Sequence, residues 1–151
     1  YEVNLYFSNL YDSPESVSSS RCRAEKEIQC GEKETKEWNE KDSVWVTVKE
    51  PIYETVRATV ETFNQSKSAS LVLNMEVWDV NQQSVVNREE FRGYENWSNT
   101  YSRVSGDKRA LGGGCDDKGG WHSAPPAGSH MLVCAAGNVR RKFFRKLNRL
   151  D

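Results

Sequence analysis

Residues 71–77 most constrain the fold of this chain. Leu71, Leu73, Met75 and Val77 fall on one side of an extended backbone, with Val72, Asn74, Glu76 and Trp78 on the other. Side chains alternate across a strand with a period of two, so this pattern suits a half-buried strand and would scatter around a helix. The same period recurs in Tyr1, Val3, Leu5 and Phe7, in Val44, Val46 and Val48, and, after Pro51, in Ile52, Val56, Ala58 and Val60. Shorter strands are expected at 84–92, at 99–104 and at Met131–Cys134. Residues 11–20 read as a loop. Residues 23–42 are dense in Glu and Lys and could form a solvated helix, although they lack a core stripe. Residues 105–128 hold seven of the ten glycines and the pair Pro125-Pro126, which predicts a long loop. Recurrent strands without interleaved amphipathic helices predict an all-β fold, an antiparallel β-sandwich of seven or eight strands.

The chain's 151 residues suit one domain and suffice for a core. Mean hydropathy is low at −0.79, yet five Trp, six Tyr and five Phe argue against disorder. No apolar run approaches the ~18 residues of a membrane-spanning helix. The sequence opens without Met or an apolar leader, as expected where a leader has been removed or the chain trimmed.

With 21 basic and 22 acidic residues the net charge is −1, which speaks against a globally basic nucleic-acid binder. The charge is uneven. Six bases and one acid lie in 140–151, and subtracting them leaves 15 bases against 21 acids in 1–139. This divides the chain into a β-sandwich domain at 1–138 and a basic amphipathic tail at 139–151. Val139, Phe143, Leu147 and Leu150 share one helical face, with Arg140, Arg141, Lys142, Phe144, Arg145, Lys146 and Arg149 around the rest. Such a helix suits anionic lipid, a sulfated glycan or an acidic partner. Alternatively, its apolar face packs on the domain and its charges are solvated.

Cys22, Cys30, Cys115 and Cys134 contain no Cys-x-x-Cys pair, which disfavours a zinc ribbon or a thioredoxin site. Four cysteines allow three pairings. Cys22–Cys30 and Cys115–Cys134 are favoured because each closes a short loop in a weakly structured stretch. Zinc held by Cys115, His122, His130 and Cys134 is the weaker alternative, since the spacings are irregular. Asn64-Gln65-Ser66 and Asn96-Trp97-Ser98 match the N-glycosylation sequon, with Asn64 and Asn96 as acceptors. Together with the even cysteine count, they favour an extracellular or cell-surface ectodomain.

No motif of nucleophilic catalysis is present: there is no Gly-x-Ser-x-Gly elbow, and the glycines at 112–114 lack the P-loop ending. A non-enzyme is expected. Calcium is the cofactor to consider. Asp79 and Asn81 follow the best strand with a one-residue gap and could supply oxygen ligands, completed by Asp12 and Glu15 or by Asp116 and Asp117. The bland reading is that Asp and Asn end a strand because they favour turns.

Tyr1-Glu-Val-Asn-Leu-Tyr-Phe-Ser-Asn9 before Ser-Arg-Cys22, the strand Ser70–Trp78 and Leu132-Val-Cys134 resemble the N-terminal C2-like domain of Delta/Serrate-type Notch ligands. The anchors cover about a quarter of the chain. The sequence has Cys22-Arg23 where that family usually carries a double cysteine. The resemblance implies a C2-like sandwich that touches membranes and contributes to receptor contact, with loops 9–20 and 79–87 at its apex and calcium in some members. The expected function is therefore an extracellular interaction module that binds a receptor, glycan or membrane surface, with calcium as a candidate aid. The alternative is a structural ectodomain of a larger membrane protein with a juxtamembrane basic segment.

Overall fold

A computed structural model describes residues 1–148. It is mainly antiparallel sheet. Strand β1 spans Glu2–Asp12, β2 Ser16–Asn39, β3 Val44–Asp79 and β4 Ser84–Gly106, and helix α1 spans Gly128–Leu147. A short 3-10 turn occupies Lys108–Ala110. In the four-stranded sheet, β3 pairs with β1, β2 and β4. The strand pairing gives one open sheet in place of seven or eight separate strands.

The expected short strands merge. Those at 44–48, 52–60 and 71–77 are parts of the 36-residue β3, and those at 84–92 and 99–104 are parts of β4. Pro51 does not break β3. Strand β4 ends at Gly106, whose neighbour Asp107 donates its N–H to Arg57 O at 2.9 Å, so Pro51 lies beyond it, toward an open edge where proline is tolerated. Residues 23–39 are strand and not helix. Their charges are answered across the ladder by Arg57–Glu25 at 2.9 Å and by Lys49 with Glu32 and Glu34 at 3.7 Å each.

The chain forms two compact units. The first comprises Tyr1–Ser18, Asn64–Thr100 and the segment from His122 onward; the second comprises Ser19–Phe63 and Tyr101–Trp121. The second unit buries Ala24, Val56, Ala58, Val60, Ala110 and Cys115. Its disulfide joins Cys22 to Cys115, 93 positions apart. The expected Cys22–Cys30 bridge fails for a geometric reason. Both residues lie on β2, where eight extended residues span about 26 Å, far beyond disulfide reach. Cys115–Cys134 is likewise not formed: Cys134 sits on α1, in the first unit, and is free like Cys30.

In the first unit the alternation at 71–77 is realised, with Leu71, Leu73 and Met75 buried against Phe91, Ala135 and Val139. The surprise is α1. Residues Met131–Cys134 belong to a helix and not to a closing strand, and the proposed boundary at 138/139 falls inside it. Met131, Ala135 and Val139, four residues apart, form the buried stripe. Phe143 continues it, edge-on to Phe91 with centroids 5.5 Å apart. At the start of α1, a Cβ on Gly128 would lie 1.8 Å from Asp12 Oδ2, so that carboxylate rests against the positive end of the helix.

Strand β1 differs from expectation in burial. Leu5 pairs with Met75 and Phe7 with Leu73, on the face α1 covers, yet Leu5 and Phe7 are 50% and 52% exposed. The core stripe of the helix packs on β3 and β4 residues, α1 meets β1 at Asp12, and Leu5 and Phe7 stay half-exposed. Asn9, at φ 51°, accompanies an extra β1 residue between Ser8 and Tyr11 that re-registers Tyr11 against Ser70.

Candidate functional site: the cationic flank of the helix

Helical geometry divides the second half of α1 into a core stripe and two flanks. Asn138, Arg141, Lys142 and Arg145 follow one another at i, i+3, i+4 and i+7 and line one side of a cleft of about 260 Å³, closed by Tyr94 of β4. Two side chain–backbone contacts and one between side chains hold the site. Asn138 Nδ2 donates to Tyr94 O at 2.9 Å, Lys142 Nζ donates to Arg92 O at 2.6 Å, and Arg141 donates to Asn138 Oδ1.

Charge balance sets this flank apart. Lys146 is neutralised by Glu89 at 3.3 Å, and Arg92 by Glu90 at 3.3 Å. Among the described residues, no carboxylate comes within ion-pair distance of Arg141, Lys142 or Arg145. The Arg92 guanidinium is held above its ordinary value, chiefly by its hydrogen bond to Glu90 and then by Tyr94. Three uncompensated cations around one cleft create a local positive potential on an otherwise acidic chain.

The other flank carries Val133, Arg140, Phe144 and Leu147. Val133 is 69% exposed and Phe144 49%, and the Arg140 guanidinium stands 5.7 Å from the Phe144 ring centroid. Of the apolar tail residues, Val139 and Phe143 pack inward, while Phe144 stays half-exposed. Arg149 and Leu150 lie outside the described residues.

Within the first unit, Asp12 and Asp79 do not converge. Asp79 Oδ1 accepts the Asn81 and Gln82 N–H groups at 2.8 and 3.1 Å, which closes the turn at 80–83. Asp12 pairs with Ala69, ten residues from Asp79 along β3 and so about 33 Å away. It forms an ion pair with Lys67 at 3.3 Å instead. Glu15 accepts Gln65 Nε2 at 2.6 Å. Asp117 accepts the Ser102 hydroxyl at 2.5 Å and Gly119 N–H at 2.9 Å, while Asp116 is exposed. The zinc alternative loses Cys115 to the disulfide; on α1, Cys134 Sγ lies 3.9 Å from His130 Nε2. No cluster of three or more His, Cys, Asp or Glu residues suited to a metal occurs among the described residues.

Two arrangements escaped the sequence reading. Gln65 is buried and fully bonded to Glu15, Asn99 and the Ser123 backbone. In the second unit, Arg21, Arg23 and Arg103 line a cleft of about 420 Å³, but Glu61 sits in the same cleft and pairs with Arg21 at 3.3 Å. No described helix is long and apolar enough to cross a membrane. No known protein family matches the chain, and neither a curated protein nor a solved structure matches it.

Proposed function

We propose that this chain is an extracellular, non-enzymatic interaction module whose helix α1 binds anionic membrane surfaces. One observation carries the reading: Arg141, Lys142 and Arg145 form an uncompensated cationic flank on the same helix as the exposed Phe144. Cations near an anionic bilayer contribute about 1 kcal/mol each, and an exposed aromatic adds apolar burial at the headgroup level. The Cys22–Cys115 disulfide supports an oxidising compartment. The resemblance to Delta/Serrate-type ligands implies the same membrane contact, and the C2-like sandwich belongs to that resemblance. Calcium is not needed for this mode of binding.

Flotation with phosphatidylcholine vesicles containing phosphatidylserine tests the proposal. Binding is expected at low salt, to weaken as salt rises, and to fall about a hundredfold when Arg141, Lys142 and Arg145 are all changed to Ala, the equivalent of about 3 kcal/mol. Absence of flotation by the intact chain at low salt overturns it.

A further inference from the structure

The two sequons lie 32 positions apart in sequence, yet they occupy one face of the sheet in the first unit. Thr100 Oγ1 donates to Asn64 Oδ1 at 2.9 Å, so Thr100 on β4 and Asn64 on β3 share a face. Alternation then places Asn96 and Ser98 with Thr100, and Ser66, Ser68 and Ser70 with Asn64. The intervening residues point the other way: Asn99 Nδ2 donates to Gln65 Oε1 at 2.8 Å, and Gln65, Ala69, Leu71, Leu73 and Met75 are buried. The sequon face is thus opposite α1. It is rich in Asn, Ser and Thr, and Asn64, Ser66, Asn96 and Ser98 are all exposed.

The bonding at Asn64 leaves the reactive atom unused. Its Oδ1 is occupied by Thr100, and neither Asn64 nor Asn96 spends Nδ2 on a hydrogen bond among the described residues. At Asn96 the surroundings go further. A groove of about 470 Å³ is lined by Asn96 and Ser98 together with Tyr11, Pro14, Ser66 and Ser68. Tyr11 pairs with Ser70 and therefore stands on this same face, 56% exposed. An aromatic ring bordered by small hydroxyl side chains offers a sugar both a flat apolar platform and hydrogen-bond partners.

We infer that this face is the chain's glycan-bearing face, with Asn64 and Asn96 both modified and the first sugar on Asn96 seated against Tyr11. The inference rests on the extracellular part of the reading above. In the modification, Asn96 Nδ2 attacks C1 of a polyprenyl-diphosphate-linked oligosaccharide. An N–H proton is lost to the transferase's base, the N-glycosidic bond forms, and the polyprenyl diphosphate departs with the electrons of the broken C1–O bond. The attached sugar faces the groove at a high effective concentration, because its own tether ends on the groove wall. With glycans confined to this face, α1 on the other side stays bare for its surface contact.

The full chain, secreted from a eukaryotic host behind a cleavable leader, is to be weighed intact. Two glycans are expected, with one lost in each of Asn64→Gln, Ser66→Ala, Asn96→Gln and Ser98→Ala. A secreted, folded chain unmodified at either asparagine overturns the two-site assignment. The seat is tested by native endoglycosidase digestion: Tyr11→Ala is expected to speed release at Asn96 several-fold and leave release at Asn64 unchanged. Tyr11→Leu, which keeps an apolar side chain, serves if the alanine variant misfolds. Equal release rates from the variant and the parent overturn the seat. Vesicle flotation of the glycosylated chain is read separately, so loss of membrane binding with both glycans present counts against α1 alone.

Discussion

Gly93 of β4 lies so close to Ala135 of α1 that a Cβ on the glycine would come within 2.3 Å of the Ala135 carbonyl oxygen, and within 2.7 Å of Val139 Cγ2. No side chain fits between strand and helix here. Gly93→Ala must push the helix backbone away, and overpacking of this kind costs about 1–3 kcal/mol. Urea denaturation should show a lower midpoint with an unchanged slope, since the two-state surface change is the same.

Removing Cys115 by substitution with Ser should lower stability by about 2–4 kcal/mol, because the bridge closes a long stretch of chain and its sulfur is buried in the core of the second unit. Non-reducing peptide mapping of the parent should return a single Cys22–Cys115 cross-link. Cys30 and Cys134 should take up a thiol label, Cys30 the faster because it is exposed.

Acid sensitivity should trace to Asp117. Its carboxyl is held below the usual carboxylate range by the Ser102 hydroxyl first, then by the Gly119 N–H, with Lys108 adding a smaller pull against desolvation. A depressed folded value means the contribution is fully present above the unfolded value of about 4, and is lost as pH falls through the lower folded value. Asp117→Asn should therefore flatten the acid limb of the stability–pH curve below about pH 4 and change little of its slope at neutrality.

Asp79 is expected to act as a turn residue. Asp79→Ala removes the acceptor for two N–H groups at the β3–β4 connection and should cost about 1 kcal/mol. Millimolar calcium should leave the melting temperature of parent and variant alike unchanged. A calcium-dependent rise in the parent that disappears in the variant would restore the cation reading.

How far the sequence disclosed this molecule is seen by comparing two stretches. At 71–77 the buried apolar residues Leu71, Leu73 and Met75 fall at every second position, and the pattern names the strand and its core face directly, although Asn74 between them is buried too and bonds Ser8 on the opposite face. At 131–143 the run Met-Leu-Val-Cys-Ala-Ala reads equally well as a short buried strand, because contiguous apolar residues carry no period. The helical stripe Met131, Ala135, Val139 and Phe143 emerges only when the segment is read across the charge boundary at Arg140. The cationic flank was legible from residue type alone. That Lys146 is neutralised while Arg141 is not depends on Glu89, more than fifty positions away, and no local pattern encodes that. The same holds for the disulfide: loop-length arguments favour near cysteines, whereas a long extended strand separates them.

The first unit is assembled from three stretches of chain, with the whole second unit inserted between them. Ribosomal synthesis delivers these stretches in order. Leu71, Leu73 and Met75 leave the exit tunnel well before Met131, Ala135 and Val139 are made, and until then the sheet has no helix to cover it. The second unit is complete once Trp121 has emerged, so it can form first and draw its disulfide closed. A nascent chain halted between Trp121 and Gly128 should therefore be half-folded, with the apolar face of β3 open to whatever holdase is at hand, and the arrival of α1 decides whether that face is closed.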